Sequence, residues 1–135
     1  MHYLLADLAE EDTDALRQKA WFTKILVMQW IDLNEASQLD KIKHLSKEKP
    51  QLIFKHSTRC NISSMAKNRL ERATASPDIN FYLLDLIEHR DISLKIAEDF
   101  NIHHESPQVL LIKDGNCVYD ESHTGINMDE IDELI

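Results

Sequence analysis

Cys60 is the side chain in this sequence best placed for covalent chemistry. A short apolar run, Leu52 to Phe54, predicts a buried strand, and Cys60 follows a polar turn at the point where a helical pattern begins. At a helix N-terminus, unpaired backbone N–H groups and the positive end of the helix dipole favour a thiolate over a thiol. Arg59 adds positive charge beside the sulfur. The pattern predicts a nucleophilic cysteine, against the alternative of a small buried side chain.

Ser63 lies three residues after Cys60, where a dithiol oxidoreductase has its second cysteine. A hydroxyl cannot close a disulfide, but on the first helical turn it can donate a hydrogen bond to the Cys60 thiolate. The alternative is an ordinary first-turn serine that satisfies backbone donors. Ser57 and Thr58 are expected to cap the helix while leaving the sulfur exposed. Chemistry at Cys60 is then predicted to use one thiol.

The Ser106-Pro107 pair opens a predicted strand. In the fold given below, this loop lies beside Cys60, and a cis peptide bond there would expose backbone groups that can pair with a client segment. Spacing alone favours a trans bond, because only about one X-Pro bond in twenty is cis in folded proteins.

Cys117 lies far along the chain and is predicted to be a structural thiol. The histidines, among them His103 and His104, lack metal-ligand spacing and are interpreted as surface residues, so no metal site is predicted.

The remaining pattern supplies the elements that hold these residues. The predicted order along the chain is strand, helix, strand, helix, strand, helix, strand, strand, helix. The predicted strands are Gln29–Leu33, Leu52–Lys55, Asn80–Leu84, Gln108–Ile112 and Cys117–Tyr119, and the predicted helices are Asn34–Lys47, Cys60–Ala75, Asp91–Phe100 and Met128–Ile135. Asn34 and Asp91 are expected to be N-caps, and Leu94 to lie on an inner helix face. Crossovers predict parallel strand pairs, and an Asp-Gly hairpin predicts an antiparallel edge. The fold class is therefore α/β, a thioredoxin-like central mixed sheet flanked by helices.

Length and composition exclude several classes of protein. The chain has 135 residues, enough for one domain, which we assign to residues 28–135 with residues 1–27 as an extension of unknown role that favours a helix. A net charge of -9 without a basic stripe argues against a nucleic-acid partner. The longest apolar stretch near the start is far too short for a membrane span, and the N-terminus lacks the basic-then-apolar order of a secretory signal. Two cysteines make no disulfide framework, so we expect a reducing, cytoplasmic location.

Three segments resemble one known family. The segments are FKHSTRCNIS, LLDLIEHRDISLKIAEDF and HESPQVLLIKDG. Together they are similar to the monothiol bacilliredoxins of the bacillithiol system, the YtxJ-type thioredoxin-like family. The resemblance covers about residues 28–135. It implies that Cys60 is the nucleophile, that Ser63 replaces a resolving cysteine, and that Pro107 is a cis-proline opposite the active site. Family members often have proline directly after the cysteine, where this chain has Asn61, so the helix start is less rigid here.

The resemblance also implies an activity. Such a protein removes bacillithiol, or a similar low-molecular-weight thiol, from S-thiolated client proteins, with the small thiol as co-substrate and no bound cofactor. Thr58, Arg59, Ser106 and Pro107 are the positions expected to contact substrate. Two alternatives stay open: a non-catalytic thioredoxin-like module that binds peptides, and a dithiol enzyme that uses Cys60 with Cys117.

Overall fold

Five strands form one mixed sheet in the computed structural model, which describes residues 28–73 and 78–135. In spatial order the strands run β1, β3, β2, β4, β5. Their bounds are β1 Trp30–Asp32, β2 Gln51–His56, β3 Asn80–Asp85, β4 Gln108–Lys113 and β5 Asn116–Ser122. The three strands β1, β3 and β2 are parallel, while β4 is antiparallel to both β2 and β5. This confirms the predicted α/β class with a mixed sheet.

The expected parallel pairing of β4 is wrong. Gln108, the first residue of β4, pairs with Lys55, the second-last residue of β2. Residues 100–107 therefore carry the chain back to the C-terminal end of β2 before β4 begins, and β4 then runs antiparallel to it. Because of this return, the loop before β4 lies at the same end of the sheet as the loop that carries Cys60.

Four helices cover the two faces of this sheet. They are α1 Gln38–Leu45, α2 Asn61–Arg72, α3 Arg90–Asp99 and α4 Met128–Glu133, and a short 3-10 helix covers His123–Gly125. Buried side chains of α2 and α4, such as Leu70 and Ile131, pack on one face with Phe54. Those of α1 and α3, such as Ile42 and Ile96, pack on the other face. Strands β2 and β4 are therefore buried on both sides, as their continuous apolar runs require.

Two predicted helix caps and one predicted inner-face residue are wrong. The side chain of Gln38 accepts hydrogen bonds from the N–H groups of Asn34 and Glu35, which holds these residues in a turn, and α1 begins only at Gln38. His89 is the N-cap residue of α3, so Asp91 lies within the first turn, where its charge still suits the helix dipole. Leu94 is 63% exposed. The buried positions of α3 are instead Ile92, Ser93 and Ile96.

The hairpin between β4 and β5 forms as predicted. Asp114 and Gly115 both have positive φ, 51° and 78°, the backbone that an Asp-Gly hairpin turn requires. Helix α2 ends at Arg72 rather than at the predicted Ala75. The extension predicted for residues 1–27 lies outside the described residues, and the boundary at residue 28 stays a prediction.

Candidate active site

Cys60 is the N-cap residue of α2. Its backbone is extended, with φ -111° and ψ 122°, its N–H donates to the carbonyl of Ser57 at 3.2 Å, and its carbonyl accepts from Ser64 N–H at 3.0 Å. The thiol is free and partly exposed. In the described structure neither Ser57 nor Thr58 caps this helix end through its side chain, so that expectation is wrong. The sulfur thus lies at the helix N-terminus that the sequence predicts, next to N–H groups of the first turn that no side chain among the described residues satisfies.

Ser63 ties the loop that carries Cys60 to the helix and the strand on either side. Its side chain is fully buried, and its Oγ accepts the Ser57 N–H at 2.9 Å and lies 2.6 Å from Nδ1 of His56, the last residue of β2. Burial, followed by the charge of Lys67, lowers the pKa of His56, so the imidazole is neutral near pH 7. Both hydrogen bonds of Ser63 Oγ thus go to groups other than the sulfur. A role for Ser63 as a donor to the Cys60 thiolate stays a prediction.

The loop before β4 faces the same end of the sheet. The Ser106-Pro107 bond is cis. The family resemblance implies this, whereas sequence spacing alone favours a trans bond. Because Lys55 pairs with Gln108, the next positions on the two strands, His56 and Pro107, are neighbours at the start of the Cys60 loop. The buried Gln108 amide donates to the His103 carbonyl at 2.9 Å and accepts the Glu105 N–H at 3.2 Å. These bonds anchor the loop beside the site.

A buried lysine contacts this loop, and neither its burial nor its partner was predicted from the sequence. The Lys55 side chain is fully buried, and its Nζ lies 2.6 Å from Nδ1 of His104. Burial lowers the pKa of Lys55 to about 8, although the charge of Glu105 opposes the shift. His104 is exposed, as predicted, but it has a specific partner in the core. One signal in the sequence could have indicated this burial. Lys55 is two residues after Ile53 in an apolar strand, so both side chains point to the same buried face of the sheet.

Two apolar side chains beside the cysteine are exposed. Ile62 is 45% and Met65 is 60% exposed on the first turns of α2, whereas Ala66 and Leu70 are buried. The helical pattern is therefore confirmed, but its apolar residues divide between the core and the surface. The exposed pair gives the surroundings of Cys60 an apolar character.

An acidic cleft of about 300 Å³ adjoins the Cys60 loop. It lies at the C-terminal ends of the parallel strands β1, β3 and β2, where ligands of open α/β sheets commonly bind. Its polar lining includes Asp32, Asn34, His56, Thr58, Asp85 and Glu88. Thr58 therefore belongs both to the lining of the cleft and to the loop that carries Cys60.

Cys117 belongs to the opposite face of the sheet. It packs against the cluster formed with α1 and α3, whereas α2 packs on the other face. Its Sγ–H donates to the carbonyl of Tyr119 at 3.3 Å, and burial raises the pKa of the thiol to about 11. These contacts agree with the predicted structural thiol and argue against a resolving partner for Cys60.

The described residues contain neither a candidate metal centre nor a candidate membrane-spanning helix. Residues 28–73 and 78–135 contain no cluster of three or more His, Cys, Asp or Glu side chains suited to a metal ion. Within the same ranges, no helix has the length and apolar character needed to cross a membrane.

Comparison with known proteins identifies the family of this chain. A candidate oxidoreductase with a thioredoxin fold is 29% identical, covers 76% of this chain and 90% of its own, and superposes with a TM-score of 0.67. The thioredoxin of Fasciola hepatica is 21% identical over 77% of this chain and 94% of its own, with a TM-score of 0.61, which shows the fold. The family model of monothiol bacilliredoxin BrxC matches residues 31–131. The chain therefore belongs to the monothiol bacilliredoxin family and has the thioredoxin fold.

Proposed function

We propose that this chain is a monothiol thiol-disulfide oxidoreductase that removes bacillithiol, or a similar low-molecular-weight thiol, from S-thiolated client proteins. Family and fold support a thiol-disulfide redox function. The observation that carries the one-thiol version is the pairing of a partly exposed Cys60 at a helix N-terminus with a fully buried serine at the third position after it.

The reaction has two exchanges. The Cys60 thiolate attacks the small-thiol sulfur of the client mixed disulfide, and the client cysteine leaves as a thiolate. Cys60 now holds the small thiol in a mixed disulfide. The thiolate of a second small-thiol molecule attacks the small-thiol sulfur of that disulfide, which releases the Cys60 thiolate and a symmetric small-molecule disulfide. No bound cofactor enters this scheme.

The surroundings of Cys60 support the proposed contacts with substrate. Thr58 and Arg59 lead directly into Cys60, and Ser106 and Pro107 lie at the same end of the sheet. The exposed Ile62 offers apolar contact to a client. Cys117 packs against the sheet face opposite α2, so the scheme needs the second small-thiol molecule, which a reducing cytoplasm would supply.

Mass spectrometry tests the first exchange directly. A peptide disulfide-linked to bacillithiol is incubated with the protein, and the expected products are free peptide and a Cys60 adduct of bacillithiol mass. Cys117→Ser should give the same products, because that thiol takes no part, and Cys60→Ser should give neither. Transfer of the peptide rather than the small thiol to Cys60 would contradict the proposed direction of attack.

A non-catalytic peptide-binding module is the second candidate function. The exposed Ile62 and Met65 favour it, because an apolar surface suits a bound segment whether or not the thiol reacts. The rate of Cys60 alkylation by iodoacetamide near pH 6.5 separates the two. An enzyme should react many times faster than an unstructured cysteine peptide at this pH, and a binding module should react no faster.

A further inference from the structure

Lys55 is a buried cation for which the proposed reaction has no use. It lies on β2, five residues before Cys60, and its side chain is fully buried. An isolated charge in such a place is costly unless it is paired or hydrogen-bonded. Among the described residues, the hydrogen-bond partner of its Nζ is His104 Nδ1, at 2.6 Å. Because burying the Lys55 charge costs free energy, we ask what the contact with His104 does for the loop that carries His104.

The contact fixes the tautomer of His104. A lysine ammonium donates hydrogen bonds and cannot accept them, so Nδ1 of His104 must be the acceptor. Ser93 Oγ lies 3.3 Å from the same nitrogen. Burial, followed by the charge of Lys55, lowers the pKa of His104, so the ring is neutral near pH 7. Its single N–H hydrogen is therefore on Nε2.

The ring presents this hydrogen at the surface. His104 is an exposed residue, and its Nε2 makes no hydrogen bond to any residue in the described ranges. It is three residues before Pro107, in the loop that Gln108 anchors beside the Cys60 site. A neutral N–H donor with a fixed orientation is thus available next to the segment that we expect to contact substrate.

We infer that His104, held by Lys55 as the tautomer with its hydrogen on Nε2, donates a hydrogen bond to an oxygen of the disulfide substrate. His104 is then a substrate contact, and Lys55 is a positioning residue that acts through it. This inference rests on the proposed function, because it needs a disulfide substrate. The acceptor is a carboxylate or amide oxygen, either on the small thiol or on the client peptide.

Kinetics on two model substrates test the inference and locate the acceptor. One peptide is disulfide-linked either to 3-mercaptopropionate, which has a carboxylate, or to cysteamine, which has no oxygen. Lys55→Met and His104→Leu should each raise KM about threefold to tenfold, the usual net value of one hydrogen bond, with kcat within twofold. A rise confined to the mercaptopropionate substrate supports an acceptor on the small thiol, and a rise for both substrates supports one on the client.

Further variants separate positioning from stability. His104→Gln, which keeps an N–H donor at a similar reach, should retain most of the wild-type KM. The double variant Lys55→Met/His104→Leu should be no worse than either single variant, because both remove the same contact. The unfolding midpoint of Lys55→Met should not fall, since a buried charge gives way to an apolar chain of similar length. Lys113→Met, at the hairpin end of the sheet, is the matched control and should leave KM unchanged.

The outcomes distinguish this inference from the function on which it rests. If the wild-type protein releases free peptide neither from these two substrates nor from the bacillithiol-linked peptide, the proposed function fails. If it turns over both and the Lys55 and His104 variants keep its KM, the function stands and the inference is overturned. A two-bond proton-nitrogen NMR spectrum of the wild-type protein should show the His104 hydrogen on Nε2, and in Lys55→Met a mixture of tautomers. A hydrogen on Nδ1 in the wild-type protein would also overturn it.

Discussion

Replacing Ser63 with alanine removes one oxygen that satisfies two groups. The Ser57 N–H and His56 Nδ1 both lose their partner, at 2.9 and 2.6 Å. A buried polar group left unsatisfied costs about 1–3 kcal/mol. His56 is 7% exposed and incurs most of that cost, whereas Ser57 is partly exposed and can bind water. We expect Ser63→Ala to lower the free energy of unfolding by about 2 kcal/mol, or the midpoint temperature by about 8 °C for a chain of this length.

Urea denaturation followed by circular dichroism measures this change, with Ser64→Ala as the matched control. Ser64 is the next residue on the same helical turn, and its hydroxyl makes no hydrogen bond to any residue in the described ranges. Both variants gain the same helix propensity from alanine, so their difference isolates the two hydrogen bonds of Ser63. Equal midpoints for the two variants would refute the reasoning.

The same pair of variants separates two roles of Ser63. A serine that only stabilises the Cys60 thiolate would leave the unfolding midpoint unchanged on removal and would slow alkylation of Cys60 near pH 6.5. A serine that anchors the loop would lower the midpoint. The contacts with Ser57 and His56 lead us to expect the second result.

Three further predictions follow from the contacts described above. In the native protein at pH 7.5, iodoacetamide should label Cys60 and spare Cys117, because burial raises the pKa of Cys117 to about 11, and peptide mapping should find both labelled in 8 M urea. Asp99 accepts hydrogen bonds from Lys43 and Lys95, which outweigh its burial and lower its pKa, so its stabilisation is present above about pH 4 and is lost as the pH falls through the lower folded value. Asp99→Asn should therefore cost about 1 kcal/mol at pH 7 and little at pH 2, as measured by urea denaturation at both pH values. Ser63→Cys should create a dithiol site, so that the variant releases the small thiol from Cys60 without a second thiol molecule, and mass spectrometry should then find a disulfide between Cys60 and the introduced cysteine.

Local signals predicted the elements and the position of Cys60 at a helix start. Apolar runs such as Leu52 to Phe54 identified the buried strands, and the Asp-Gly turn identified the hairpin with its register near Lys113. Cys60 was assigned to a helix start because polar turn residues precede a helical period. These features depend on a few neighbouring residues, which is why one sequence was enough to predict them.

Contacts between distant residues were harder to predict. Asn34 is a residue type that commonly caps helices, but the Gln38 side chain accepts a hydrogen bond from its N–H, and α1 begins only at Gln38. The partner of Lys55 is 49 residues away, and nothing near either residue indicates the pair. The antiparallel direction of β4 likewise depends on how residues 100–107 return across the sheet end. Each of these results from packing between elements, which periodicity does not encode.

The N-cap position of Cys60 leaves the start of α2 less stable than a capping residue would make it. Sulfur is a weak acceptor, and no side chain caps this end of α2 in the described structure. Serine, aspartate or asparagine at an N-cap typically stabilises a helix by about 1 kcal/mol relative to a residue that cannot cap. The Cys60→Ser protein should therefore unfold at a higher temperature than the wild-type protein. A residue that caps α2 would stabilise the fold, and under the proposed function the cysteine at this position forgoes that stability for a reactive thiol.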